Sequence, residues 1–304
     1  MSRPLSAPRL EEVADGVLAY VQPDGGWCLN NAGVLVDGGQ AALVDTAATE
    51  RRARALAAAV GQVAKAPPRV VVNTHFHGDH CFGNYLFADE AVIVAHEASR
   101  TEMATAGFGL RGLWPGVEWG DIALALPTLT YHDRLTLHVG DLTAELIHPG
   151  PAHTITDTVV WLPGQSVLFT GDIVMNGATP FCLMGSVEGS LRAIAHLRSL
   201  GARTIVTGHG PVGGPEILDA NEAYLLWLRD LAGEGAGAGL TPVELARESD
   251  LGDFGELLDS ERLVGNLYRA YAEIAGAAPG ATLDVAKIFA EMVEHHGRLP
   301  SCHA

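Results

Sequence analysis

Immediately after the apolar run Val70-Val71-Val72 the chain reads Asn73-Thr74-His75-Phe76-His77-Gly78-Asp79-His80, and no other stretch limits its fold and chemistry so tightly. Three imidazoles and a carboxylate fall within six positions as His-x-His-x-Asp-His. Neutral imidazoles bind borderline metals through nitrogen, and a carboxylate adds charge and can hold or accept a proton. The alternative is a set of solvated loop histidines, and the spacing favours ligands over it. Eight other histidines (His96, His132, His138, His148, His196, His295, His296 and His303) lack ligand spacing and are read as ordinary side chains.

Three further candidate ligands occupy comparable places. His153 lies in Gly150-Pro151-Ala152-His153-Thr154, Asp172 in Thr170-Gly171-Asp172, and His209 in Thr207-Gly208-His209-Gly210. Each stands just beyond the end of an apolar run, beside glycines that allow tight turns. Strands are predicted over 17–21, 33–36, 41–44, 70–72, 91–95, 135–139, 144–147, 158–162, 167–169 and 204–206. Between them, Thr49 can cap a helix whose apolar face is Ala53, Leu56, Ala57 and Val60, and a second helix fills 191–200. Sheets covered by helices follow from this alternation, with the candidate ligands gathered at one sheet edge.

After Gly214 the character changes. A helix is predicted over 217–231, followed by a flexible joint over 233–239, where glycine occupies alternate positions. Thr241-Pro242-Val243-Glu244 has the form of a capping box. Leu263, Val264, Leu267, Tyr268 and Tyr271 mark one later helix, and Val285, Ile288, Phe289, Met292 and Val293 another. The division expected is a core over 1–215 and a helical extension over 216–304 packed on it.

Composition narrows the partners. With 36 Asp+Glu against 19 Lys+Arg and a net charge of −17, binding to nucleic acid or an anionic membrane is not expected. No apolar run approaches the roughly 18 residues of a membrane span, and the first residues lack the apolar segment of a secretion signal. Cys28, Cys81, Cys182 and Cys302 stand far apart, as reduced thiols in a cytoplasmic protein would.

Over roughly residues 10–215 these motifs resemble the metallo-β-lactamase-fold superfamily. The resemblance implies an α+β fold, an αββα sandwich, here followed by the all-helical extension. It further implies two divalent metal ions. His75, His77 and His153 would hold one, Asp79, His80 and His209 the other, and Asp172 would bridge them. Zinc suits this donor set, and iron or manganese is compatible with it. Asp79 and Asp172 are the expected catalytic carboxylates, Asp79 moving the proton of an activated water. Asp157 is read either as orienting a ligand histidine or as a surface or cap residue.

Three clusters rich in aromatic and apolar residues, at 25–31, 107–119 and 179–184, either line a pocket or pack the core. From them and the histidine loop, Trp27, Asn31, Phe76, Trp114, Phe181 and Met184 are candidate substrate contacts, suited to a large apolar substrate. Gly-Gly-Trp-Cys at 25–28, Gly-Pro-Ala-His-Thr at 150–154, Thr-Pro-Phe at 179–181 and the tail Leu299-Pro300-Ser301-Cys302 add a closer resemblance. It is to the aromatic polyketide second-ring cyclase/thioesterases of actinorhodin type. That resemblance implies a poly-β-ketone thioester, free or on an acyl carrier protein, closed by aldol condensation and released by hydrolysis. Arg51, Arg52 and Arg54 would form a docking patch for the acidic carrier, or simply a solvated helix face. A glyoxalase-II-like thioesterase or lactonase is the alternative. A β-lactam hydrolase would usually carry a secretion signal and a flavin-coupled oxygen reductase a flavodoxin-like domain; acidity disfavours an RNA-processing enzyme, and the full ligand set a non-catalytic scaffold. A homodimer is the base-rate expectation.

Overall fold

A computed structural model describes residues 5–304; residues 1–4, the start of the stretch read for a secretion signal, lie outside the described residues. In chain order the first strands are β1 (Arg9–Ala14), β2 (Val17–Val21), β3 (Ala32–Asp37) and β4 (Gln40–Val44). Next come α1 (Glu50–Val63), β5 (Val70–Val72), α2 (Gly78–Cys81), β6 (Val92–His96), α3 (Glu97–Ala106), α4 (Gly109–Leu113) and β7 (Leu129–Tyr131). Together the seven strands form one sheet in sequence order. Its first four strands are antiparallel and β4 to β7 run parallel, so helical crossovers return the chain between the parallel strands.

A second sheet, ordered β12-β11-β10-β9-β8, contains β8 (Arg134–Val139), β9 (Leu142–Ile147), β10 (Val159–Leu162), β11 (Val167–Phe169) and β12 (Thr204–Val206). α5 (Val187–Ser199) makes its crossover between the parallel pair β11 and β12. Alternation along the strands sorts their side chains by face. Leu35, Ala42, Val44, Val72 and Val94 meet Leu146, Val160, Leu162, Phe169 and Val206 between the sheets. Val34, Leu43, Val71 and Ile93 face outward onto Leu56 and Val60 of α1, and Leu168 and Ile205 onto Ile194 and Leu197 of α5. The result is the expected αββα sandwich.

β1 and β7 escape sequence reading because edge strands carry no buried apolar run: β1 is Arg-Leu-Glu-Glu-Val-Ala, and β7 has three residues. The C-terminal region holds α6 (Glu216–Ala238), α7 (Pro242–Glu248), α8 (Arg262–Ile274) and α9 (Val285–His296). The joint expected over 233–239 is not one. α6 continues through it and stops at Gly239, whose φ of 76° caps the helix in the left-handed conformation. A helical glycine costs about 1 kcal/mol against alanine, but Gly235 admits a contact no larger residue could. A Cβ there would stand 2.4 Å from Leu245 and 2.5 Å from the Tyr271 hydroxyl, so α6 can approach α7 and α8 closely. The Thr241–Glu244 capping box starts α7 as the sequence indicates. Among the described residues no helix is long and apolar enough to cross a membrane.

The loops that follow β4, β5, β9, β11 and β12 carry Asp45, His75 to His80, His153, Asp172 and His209, and they converge at one edge of the sandwich. At the end of β6, His96 serves a different purpose. Its Nδ1 accepts from the Ala98 N–H as the N-cap of α3, and its ring stacks on His148 with centroids 4.0 Å apart. Burial, with His148 and His132 nearby, holds its pKa down at about 4. The unfolded chain, with a histidine pKa near 6.5, then binds more protons than the native one, so stability is present above pH 6.5 and lost as pH falls toward 4. Urea unfolding is expected to show stability falling from this residue as the pH is lowered from about 7.5 toward 4. His96→Asn, which keeps a capping acceptor but cannot titrate, flattens the profile; an unchanged profile contradicts the assignment.

Candidate metal centre

Two groups of donors form at the sandwich edge. His75, His77, His153 and Asp172 make one, and Asp79, His80 and His209 the other, each with its donor atoms within 4.8 Å of one another. Asp172 lies between them: its carboxylate is 3.1 Å from His80 Nε2, 3.3 Å from His209 Nε2 and 3.6 Å from His153 Nε2. Asp79 Oδ2 is 3.3 Å from His209 Nε2, and His153 Nε2 is 3.0 Å from His77 Nδ1. His75 Nε2 is buried without a hydrogen-bond partner, and His80 Nε2 and Asp172 Oδ1, although 3.1 Å apart, are not aligned to bond each other and have no other partner. Buried polar atoms are ordinarily satisfied. Orphaned nitrogen and oxygen donors converging on one space fit divalent cations, the residue set that this chemistry needs.

The far side of each ring explains why the donors point inward. His80 Nδ1 donates to Asp45 Oδ2 at 2.8 Å. Thr74 Oγ1 donates to the same oxygen at 2.7 Å and lies 3.0 Å from His75 Nδ1, while Thr74 N–H donates to Asp45 Oδ1 at 2.7 Å. One buried carboxylate therefore fixes the tautomers of both His75 and His80, leaving each Nε2 free to ligate. His153 Nδ1 is held by Phe181 O, and His209 Nδ1 by Gly25 O at 3.2 Å. Sequence reading missed Asp45, although it too directly follows an apolar strand, β4. It takes a left-handed φ of 63°, which turns its carboxylate back toward the histidine loop.

Electrostatics separate the two groups. Burial pushes His75, His77 and His153 toward the neutral, ligating form, His77 to about 3. At His209 burial is outweighed by Asp172 and Asp79, which raise it to about 9; the same carboxylates and Asp45 raise His80. Burial likewise opposes the ionisation of Asp79, yet His80 and His209 hold it at about 2. Asp157 is fully enclosed, and burial lifts its carboxyl to about 7 against the Thr154 hydrogen bonds. It grips Thr154 N–H at 2.9 Å and the Thr154 hydroxyl at 2.6 Å, so it shapes the turn behind His153 rather than orienting a ligand ring or capping the surface.

A cleft opens over the donors. Trp27, Phe181 and Met184, three of the expected contacts, line it; Phe76 lines an adjoining cavity. Two do not line it. Trp114 stands behind Trp27, with centroids 5.2 Å apart, and its Nε1 donates to Pro300 O. The amide of Asn31 is spent on Thr207 O and Gly210 O, bracing the His209 loop. Leu110 and Leu113 of α4 and Val285 and Phe289 of α9 take their places on the wall. Arg262, hidden from sequence reading among the apolar positions of α8, lines the cleft too. It pairs with Asp259 at 2.8 Å and lies 4.1 Å from the Trp27 ring centroid. Of the arginine run on α1, Arg54 pairs with Glu50, and Arg52 bonds Gln22 and His303 O, so these two guanidiniums are already engaged.

Comparison with known proteins agrees with this geometry. A family model described as the metallo-beta-lactamase superfamily matches residues 25–209. A hydroxyacylglutathione hydrolase of Anaeromyxobacter dehalogenans is 30% identical over 258 residues, covering 82% of this chain and 87% of that protein. A type 2 metallo-beta-lactamase of Bacteroides fragilis is 23% identical over 219 residues, 69% of this chain and 82% of its own. Among solved structures, a metallo-beta-lactamase from Pontibacter korlensis superposes with a TM-score of 0.62 at 20% identity, covering 72% of this chain and 99% of that one. At that identity the likeness is one of fold.

Asp45→Asn removes an acceptor shared by two ligand-bearing elements, so affinity for a divalent cation is expected to fall roughly 10–100-fold. Gly208→Ala should act similarly, because its Cβ would stand 1.9 Å from Asp172 Oδ1. Competition against a chromophoric chelator measures both. Unchanged affinity in Asp45→Asn contradicts the positioning role.

Proposed function

The chain belongs to the metallo-beta-lactamase superfamily of metallohydrolases, and from that premise we propose that it is a thioesterase and cyclase of poly-β-ketone thioesters. The acyl chain would be free or tethered to an acyl carrier protein. One observation carries this reading: a donor cluster lies beneath a cleft whose walls are apolar and aromatic, built by Trp27, Leu110, Phe181, Met184 and Phe289. Few polar groups besides the donors reach it. Such a surface suits a folded, largely apolar acyl chain better than a small polar one.

His75, His77, His153 and Asp172 would hold one divalent cation, and Asp79, His80 and His209 the second, with Asp172 between. Zinc suits these nitrogen and oxygen donors, and such a pair supplies a lowered water pKa and a Lewis acid for the thioester carbonyl. The protein's own groups do the rest. Asp79, ionised and lining the cleft, can take a proton from the attacking water and return it to the departing thiolate. Arg262 also lines the cleft, but Asp259, Thr179 O and Met175 Sδ already engage its guanidinium, so it braces the wall beneath Trp27. The apolar wall excludes bulk water, which favours attack by an enolate carbon on a ketone of the same chain before hydrolysis releases the product.

The 30% identity to a hydroxyacylglutathione hydrolase favours a second reading, a thioesterase for glutathione conjugates. The apolar wall weighs against so polar a thiol.

Product mass analysis with an aromatic β-keto thioester decides between them. The expected product has lost water, gained a ring and shed its thiol, and it forms only without chelator. His153→Ala and Asp172→Ala should each lower kcat/KM by about 100-fold or more while helical content is retained. A linear free acid leaves a thioesterase without ring closure, and turnover indifferent to chelator and to both substitutions contradicts the proposal.

A further inference from the structure

A second buried arginine of α8 has no part in the chemistry described so far. Arg269 follows Arg262 by seven residues, two helical turns or about 10 Å along the same face. It is 1% exposed. Its Nε donates to Leu183 O at 3.0 Å, and its Nη2 to Leu183 O and Ala281 O, each at 2.7 Å. Nη1 is buried and has no partner. Whereas Arg262 is paired with Asp259, no carboxylate among the described residues stands within ion-pairing distance of Arg269.

A guanidinium has five donors and a permanent charge. Two carbonyls satisfy three of those donors, and Glu273 acts on the charge without pairing with it, so the buried cation is only partly compensated, an unfavourable state. The side chain lines a cavity together with Phe76, Ile155, Thr282 and Leu283, and one carboxylate, Glu102, also reaches its wall. Leu183, Met184 and Val285 belong both to that cavity and to the cleft over the metal donors, so the two adjoin.

We propose that the second cavity is an anion subsite, in which Arg269 receives a phosphate-ester or carboxylate oxygen at the non-reacting end of the substrate. The reacting carbonyl lies over the His/Asp cluster, and the apolar wall between holds the intervening chain. The identity of the reacting end rests on the thioester reading; the subsite itself does not. For a substrate on a phosphopantetheine arm the oxyanion belongs to the thiol side, and for a free acyl chain it is a terminal carboxylate. In a protein of net charge −17, a buried unpaired arginine gives an anionic substrate a local partner that the surface as a whole does not.

The test uses metal-loaded protein and two matched pairs of aromatic β-keto thioesters. One pair is carried on pantetheine or on pantetheine 4′-phosphate; the other has an acyl chain ending in a carboxylate or its methyl ester. The anionic member of at least one pair should show a KM about 10-fold lower at similar kcat. In Arg269→Gln the difference should shrink below about 2-fold with the neutral member unaffected, and Arg269→Lys should keep part of it. Which pair responds identifies the source of the oxyanion. Equal KM within both pairs overturns the subsite, as does an Arg269→Gln variant that loses neutral and anionic substrates alike, the signature of a structural clamp. Should Arg269→Gln fail to fold, the wild-type pairs and Arg269→Lys decide. Should no thioester turn over, calorimetric titration of the wild type with the non-reacting pairs, pantetheine against its 4′-phosphate and the free acid against its methyl ester, reads the subsite alone. About 10-fold tighter binding of either anion upholds it while the thioester reading falls, and equal binding in both overturns it.

Discussion

Asp172 lies within 4.0 Å of four imidazoles, those of His75, His80, His153 and His209, and is almost wholly buried. Side chains of this kind avoid the interior unless something repays their desolvation. Part of the repayment is visible: Asp45, Thr74, Phe181 O and Gly25 O satisfy the outward nitrogens of four rings. The inward atoms are left over, and a divalent cation is the partner that their number and chemistry call for. The two sheets exist, in this sense, to bring five loops to one edge. Small residues then let those loops close on one another, as Gly208 does against Asp172.

Donors of this kind are legible in a sequence because of where they stand. His75 to His80, His153, Asp172 and His209 each follow an apolar run, and strand ends are easily read from alternation and β-branched residues. Asp45 stands at such a place too, but its value lies in what it does to His80 and Thr74, a relation only the folded chain displays. The glycines at 233–239 mislead for the same reason. Local propensity predicts a joint, whereas contact with Leu245 and Tyr271 makes Gly235 useful within a helix. Asn31 and Trp114 were reasonable substrate contacts by residue type, yet tertiary partners behind the cleft consume their polar atoms.

The C-terminal helices matter because they reach the reaction centre. α8 brings Arg262 beneath Trp27, Glu261 accepts from the Trp27 indole at 2.6 Å, and α9 places Val285 and Phe289 on the wall. The superfamily core thus supplies the donors, and the helices beyond it supply much of the enclosure. Substrate choice then resides in elements that can vary without disturbing the metal ligands, which is how one scaffold serves many reactions.

The most direct test of the account is a metal titration of fully stripped protein, followed by thioester turnover. Two donor groups sharing Asp172 predict that activity is absent at the start, rises with added zinc and breaks at two equivalents per chain. Full activity in the stripped protein, or added metal that binds without restoring turnover, would contradict the assignment of this cluster as the reaction centre.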